Sequence, residues 1–219
     1  MTLVTFLTLG FLLGMRHATD SDHVVAVTTI VSRERSVRSA SAIGAFWGIG
    51  HTVTIMVVGG AIIVFGLAFP ARVTLSLELS VAFMLVVLGL ANVLGVGRRP
   101  DAPAGKPHRH GFGAHPRLRS LAIGVVHGLA GSAAVALLVL ATIKNPAWAL
   151  VYLFLFGIGT VVGMMLITSA IAIPLAYAAR QFSSWNRHIG RLTGMGSVAL
   201  GLFLVYQIGF VDGLFAGAP

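Results

Sequence analysis

Cysteine is missing from this chain, and its absence removes disulfides, thiolate metal sites and thiol–disulfide electron transfer together. Charge is scarce as well: Asp, Glu, Lys and Arg make up 10% of the 219 residues, against 57% hydrophobic. A soluble domain of this length needs far more charge to cover its surface, so a lipid bilayer is the solvent that fits. Acidic residues are the scarcest, six against fifteen Lys and Arg, for a net charge of +9. A basic balance can mark a nucleic-acid binder, but here the basic residues fall in short loops between apolar runs, which is a topology signal and excludes nucleic acid as a partner. The chain has no Gly-x-x-x-x-Gly-Lys-Ser/Thr loop to cradle a nucleotide and no His-Glu-x-x-His helix of the zinc hydrolases. Neither catalytic residues nor a resident cofactor are therefore expected. The first fifteen residues carry no positive charge ahead of their apolar run, unlike a secretory signal.

What is present is a series of long apolar runs. A span needs about 20 apolar residues, and six are expected, over 3–30, 40–67, 73–96, 119–143, 147–177 and 190–211. Arg33-Glu34-Arg35, Phe69-Pro70, the polar stretch 98–118, Lys144-Asn145-Pro146 and the segment from Arg180 to Arg187 separate them. Twelve Lys and Arg fall in the first, third and fifth connections, two (Arg72 and Lys144) in the others, and Arg16 lies inside the first run. The positive-inside rule then puts the three basic connections in the cytoplasm and both termini outside.

The two halves of the chain echo each other. Gly14-Met-Arg-His17 matches Gly124-Val-Val-His127, Phe46-Trp-Gly-Ile-Gly50 matches Leu155-Phe-Gly-Ile-Gly159, and Leu88-Gly-Leu90 matches Leu200-Gly-Leu202. The separations agree closely, 31 and 30 residues between the first two matches, then 41 and 44. Three spans are an odd number, so a second copy enters the membrane inverted. The fold class expected is thus an all-α integral membrane protein of six helices in two inverted three-helix repeats, termini out. Its units are 1–97, a cytoplasmic His/Arg/Gly/Pro loop over 98–118, and 119–219. Recurrence of small residues for helix packing is the competing explanation of the matches.

The first run is interrupted by Arg16-His17-Ala-Thr-Asp20-Ser-Asp22-His23. Each Arg or Asp at the bilayer centre costs about 2.5–3.5 kcal/mol, so these three cost on the order of 8–10 kcal/mol unless paired, hydrated or bound to an ion. On a regular helix Arg16, His17, Asp20 and His23 share a stripe, with Arg16 and Asp20 four apart and able to neutralise each other. Asp22 falls about 100° from His23, so either it meets another partner or the helix unwinds there. Imidazoles with carboxylates suit nickel, cobalt, copper or zinc over calcium or magnesium. A proton relay and a purely structural ion-pair cluster are the alternatives.

Counting inward from the basic loop residues at 1.5 Å per residue places His51 level with this cluster, as a further candidate ligand. Thr52 and His127, with Arg16, are candidates for the cavity wall or for orienting ligands. Thr160 stands where the second copy would place another His51. His108, His110 and His115 suit a solvated linker better than a metal-collecting tract. Asn92, Tyr206 and Gln207 are expected to bond between helices, and Trp148, Tyr152, Tyr177 and Trp185 to anchor at the interface.

His17-x-x-x-x-Asp22-His23, within Arg16-His-Ala-x-Asp20-x-Asp22-His23, resembles the signature of the nickel/cobalt transporter family, with Ser21 in place of the usual alanine. Ile49-Gly-His51-Thr52 is loosely similar to a second motif of that family. The resemblance implies metal recognition by His17, Asp22 and His23. Family members commonly have eight spans, and a later acidic motif of theirs is absent here, where span 5 reads Gly159-Thr-Val-Val-Gly-Met-Met165. The chain thus looks like a short, divergent branch, similar to the membrane accessory proteins found alongside urease. The function this implies is secondary transport of Ni²⁺ or Co²⁺ across the cytoplasmic membrane. The metal set would be His17, Asp20, Asp22, His23 and His51. A scaffold delivering nickel to a urease or hydrogenase, and metal efflux, are the alternatives. Expected partners are the divalent ion, the bilayer, and either a second copy or the maturation proteins of a nickel enzyme.

Overall fold

The computed structural model describes residues 3–32, 34, 36–66, 70–96, 116–129, 143, 145–181 and 185–215. The basic loop residues Arg98 to Arg109 and the histidines His108, His110 and His115 lie outside them, as does the far half of the expected span 119–143. All regular secondary structure among the described residues is helical: α1 (Leu3–His17), α2 (Ser21–Val31), α3 (Val37–Phe65), α4 (Ala71–Val93), α5 (Pro116–Leu129), α6 (Pro146–Gln181) and α7 (Trp185–Tyr206), the last continuing into a π-helical turn, Gln207–Val211. Four stretches, Val37–Phe65, Ala71–Val93, Pro146–Ala178 and His188–Val211, are long and apolar enough to cross a membrane. Their outward faces carry Val57, Phe83, Val87, Phe154, Leu166 and Phe203, all more than half exposed, which only lipid would cover favourably. The protein is a multi-pass helical membrane protein.

The first expected span is not one helix. α1 stops at His17 and α2 starts at Ser21, with Ala18, Thr19 and Asp20 as a turn between them. Asp20 adopts extended geometry (φ −60°, ψ 146°) as the residue that begins α2, a position Asp favours because its side chain competes with helical backbone bonds. The Thr19 hydroxyl donates to the Arg16 carbonyl at 2.6 Å and closes the end of α1. α5 begins at Pro116, three residues before the expected 119, since proline suits a first helical turn where its missing N–H has no partner to lose.

Small residues set how closely the helices approach. A Cβ on Gly14 would collide with the Phe156 carbonyl oxygen, and one on Gly124 with that of Trp47. Gly159 is pressed against Phe11 and Gly50 against Leu121, in each case at the carbonyl oxygen. Gly157 meets Thr52, and Gly48 meets Val161. Gly89 faces Gly194 and Val198, while Gly201 faces Ala82 and Val86. Every contact in this set has a counterpart offset by about 110 residues in one helix and in its partner. α1 and α5 consequently run beside α6 and α3, α3 lies antiparallel to α6, and α4 to α7.

Asn92, buried on α4, donates to the Thr29 carbonyl (3.1 Å), the Ser32 hydroxyl (3.1 Å) and the Thr193 hydroxyl (3.2 Å), tying α2 to α4 and α7 as expected of an interhelical bonder. Tyr206 does not act this way: it is 59% exposed with its ring against Phe210. Tyr152 is no interface anchor either. It is buried because its ring fills the space that a side chain at Gly10 would occupy, whereas Trp148 and Tyr177 are exposed. Trp185's side chain lies outside the described residues.

Gly196 differs from the packed glycines, because among the described residues nothing lies within 4 Å of a Cβ added there and its φ is not positive. Gly196→Ala is expected to raise stability by about 0.5–1 kcal/mol, the helix-propensity gain alone. A thermal unfolding midpoint in detergent about 1–4 °C above the wild type checks this.

Candidate metal centre

The break in the first span decides the geometry of the site. α1 ends by presenting His17, α2 begins by presenting Asp22 and His23, α3 supplies His51 from its middle, and α5 supplies His127 from its last turn. The four imidazoles are buried, between 0% and 6% exposed. His17, His23 and His51 bring three ring nitrogens within 4.8 Å of one another, and Asp22, His23 and His127 form a second triad on the same criterion. His23 belongs to both.

Each imidazole is oriented by a neighbour. His17 Nδ1–H donates to Asp20 Oδ2 at 2.7 Å, which turns Nε2 and its lone pair inward. There it stands 3.0 Å from His51 Nε2. Two imidazole nitrogens that close either share one proton or serve as neighbouring ligands of one cation. Bonds of about 2.05 Å at right angles separate the ligand atoms by about 2.9 Å. His23 Nδ1 lies 3.2 Å from Asp22 Oδ1, and the His23 backbone N–H donates to the same oxygen at 3.0 Å. Asp22 Oδ2 accepts from His127 Nε2 at 2.9 Å. Left over are His23 Nε2, His51 Nδ1 and His127 Nδ1, all buried without a hydrogen-bond partner among the described residues. Buried polar nitrogens are rarely orphaned, and His23 Nε2, on the ring packed against both His17 and His51, points to a ligand.

Aromatic rings close the sides. Trp47 stacks near His23 (centroids 6.1 Å, 15° between planes) and stands 5.6 Å from the His127 ring. Phe156 stands 5.5 Å from His17. The carboxylate of Asp22 sits in the first turn of α2, where the helix dipole favours negative charge, and the C-terminus of α1 favours a cation.

Several expected site residues find other places. Asp20 pairs with His17 and not with Arg16, which is exposed at the end of α1. The unwinding after His17 destroys the i,i+4 register that would have joined them. Asp20 is thus on the far nitrogen of His17, outside both triads. Thr52 spends its hydroxyl on the Gly157 carbonyl at 3.0 Å, an α3–α6 packing bond. Asp22 resolves the angular problem through the break: one oxygen serves His23, the other His127. His127 is closer to the centre than a wall residue, its ring 4.1 Å from that of His23. Its match to His17 in the internal repeat was the signal for this. Thr160 is buried and bonded to the Phe156 carbonyl at 2.9 Å, so the second half contributes only His127 among the described residues.

Comparison with known proteins adds one decisive relative. The chain is 38% identical, over 97% of its length and 96% of the relative's, to the urease accessory protein UreH of Bacillus sp. (strain TB-90). The chain belongs to the UreH family. No family profile matches it, and no solved structure does. Identity over nearly the whole length means the broken first span and the histidine cluster lie within the compared region.

Proposed function

We propose that this protein is a secondary transporter of Ni²⁺ or Co²⁺ in the cytoplasmic membrane. One observation carries the reading: three imidazoles from three helices converge at a helix break, deep between apolar spans, with a carboxylate alongside. His17, His23 and His51 replace the hydration shell of the ion, Asp22 supplies the compensating charge, and Asp20 holds His17 in its ligating tautomer. Imidazole-rich donor sets favour nickel, cobalt and zinc over magnesium or calcium. Two positive charges moving inward across 100 mV gain about 4.6 kcal/mol, so import needs no nucleotide.

The reciprocal glycine contacts support two inverted three-helix repeats about an axis in the membrane plane. In that reading the broken first span is the discontinuous helix typical of transporter sites. The charge count supports termini outside. Alternating access is then one repeat rocking against the other around the cluster.

A second reading, a membrane scaffold that passes nickel to a urease, is favoured by the relative's designation. Proteoliposomes containing only this chain separate the two. The wild type is expected to accumulate Ni²⁺ under an inside-negative potential, and His17→Ala to reduce the rate to that of protein-free vesicles. No uptake by the wild type, alongside tight metal binding in detergent, would favour the scaffold. Accumulation only with the opposite potential would favour efflux.

A further inference from the structure

Two features of the cluster are not used by a single ion held among His17, His23 and His51. The first is His127, whose match in the internal repeat is His17. His17 lies against Phe156 and His127 against Trp47, at 5.5 and 5.6 Å, and these two aromatic residues are themselves matched in the repeat. Trp47 is ten residues into α3 and Phe156 ten residues into α6, and those helices run antiparallel, entering from opposite faces. His17 and His127 therefore approach the centre from opposite halves of the membrane. The second feature is the remaining nitrogen of His23, whose ring is 4.6 Å from that of His17 and 4.1 Å from that of His127 and which belongs to both triads.

We propose a second position for a borderline divalent cation, formed by Asp22, His23 and His127, to which the ion passes from the His17–His23–His51 position by way of the shared His23 ring. This rests on the transport reading above. Asp22 Oδ2 and His127 Nε2 are 2.9 Å apart, the spacing of adjacent ligands on one ion. Asp22 Oδ1 and His23 Nδ1, 3.2 Å apart, close the triad. At the first position the ion takes His23 through Nε2, now without a partner, while Nδ1–H donates to Asp22. At the second it takes His23 through Nδ1 and His127 through Nε2, displacing the hydrogens those nitrogens direct at Asp22. The protons move to His23 Nε2 and His127 Nδ1, two of the buried nitrogens that lack a partner among the described residues. Each ring stays neutral, and the carboxylate stays ionised beside the dication. The shared ring makes the positions alternatives, so that an ion arriving at one leaves the other.

The test uses purified full-length protein and Co²⁺, whose visible absorption and X-ray absorption report ligand number and type. His17→Ala with His51→Ala removes two of three ligands of the first position and none of the second. This protein is expected to keep one Co²⁺ per chain, about 10- to 100-fold more weakly than the wild type, with two imidazoles in its X-ray absorption. Adding His127→Gln should then abolish binding. A double variant that binds no Co²⁺ while the wild type does, or residual binding with one imidazole that His127→Gln leaves unchanged, overturns the proposal. Should the alanine pair fail to give a monodisperse protein, His17→Gln with His51→Gln keeps the side-chain volume and carries the same measurement. In the otherwise wild-type chain, His127→Gln alone should still hold Co²⁺ through three imidazoles in its X-ray absorption, yet slow uptake at saturating Co²⁺ at least 30-fold. Unchanged uptake, or equal loss of binding and uptake, overturns the two-position arrangement. A wild type that binds no Co²⁺ sinks the transport reading itself, and this one with it.

Discussion

Replacing His23 with alanine is expected to weaken Co²⁺ and Ni²⁺ binding by more than about 100-fold and to bring uptake to the level of empty vesicles. The lower bound comes from residues that merely orient ligands, whose loss typically costs 10- to 100-fold. His23 is a member of both triads and the neighbour of every other imidazole in the cluster, with ring centroids 4.6, 5.2 and 4.1 Å from those of His17, His51 and His127. Losing it therefore removes a ligand from any arrangement the ion adopts. The fold should survive, because α2 is also held to its neighbours through Asn92 and through Ala26, Val27 and Val31. Equilibrium dialysis and size-exclusion chromatography of the same preparation separate lost binding from lost folding. Asp20→Asn, which disturbs only the orientation of His17, should fall in the milder 10- to 100-fold range. Normal metal binding by His23→Ala would remove the basis of the site.

The second large effect concerns the scaffold. Gly14→Leu and Gly124→Leu are expected each to destabilise the protein by about 3 kcal/mol or more, and by similar amounts. Inserting a methylene into a packed core ordinarily costs about 1–3 kcal/mol. Here the first added atom meets a backbone carbonyl, the Phe156 oxygen for Gly14 and the Trp47 oxygen for Gly124, and a backbone cannot rotate away as a side chain does. In a bilayer, where association of helices depends on close packing and not on burial of apolar surface from water, the loss of that approach has few compensations. The thermal midpoint in detergent should fall by about 10 °C or the monodisperse peak disappear. The equality of the two effects tests the repeat. A large loss at Gly14 with none at Gly124 would mean that the contacts are not structurally equivalent.

Much of the site was legible before any coordinates. The insertion cost of Arg16, Asp20, Asp22 and two histidines inside an apolar run singles out the segment, and the depth count puts His51 within reach, where its Nε2 stands 3.0 Å from that of His17. The Arg16–Asp20 pair failed because it assumed an unbroken helix, and the break lies between them. Tyr152 was misread for a different reason: an aromatic near a helix end looks the same in sequence whether it faces lipid or a glycine on a neighbouring helix, and Gly10 decided it. His127 could be ranked only as a wall residue, since nothing in its own surroundings, a run of small residues, shows which carboxylate it meets 105 positions away.

The sequence alone determined that this is a membrane protein, where its apolar runs fall, and which short segment bears chemistry. Those follow from composition and from the cost of charge in lipid, quantities that need no partner residue. Only the tertiary structure decided that the segment is unwound, that Asp22 divides its two oxygens between His23 and His127, and that Asp20 serves His17. The reason is physical: ligation and hydrogen bonding are set to within a few tenths of an ångström by residues far apart along the chain, and the close approach that glycines permit is what brings those residues to one point.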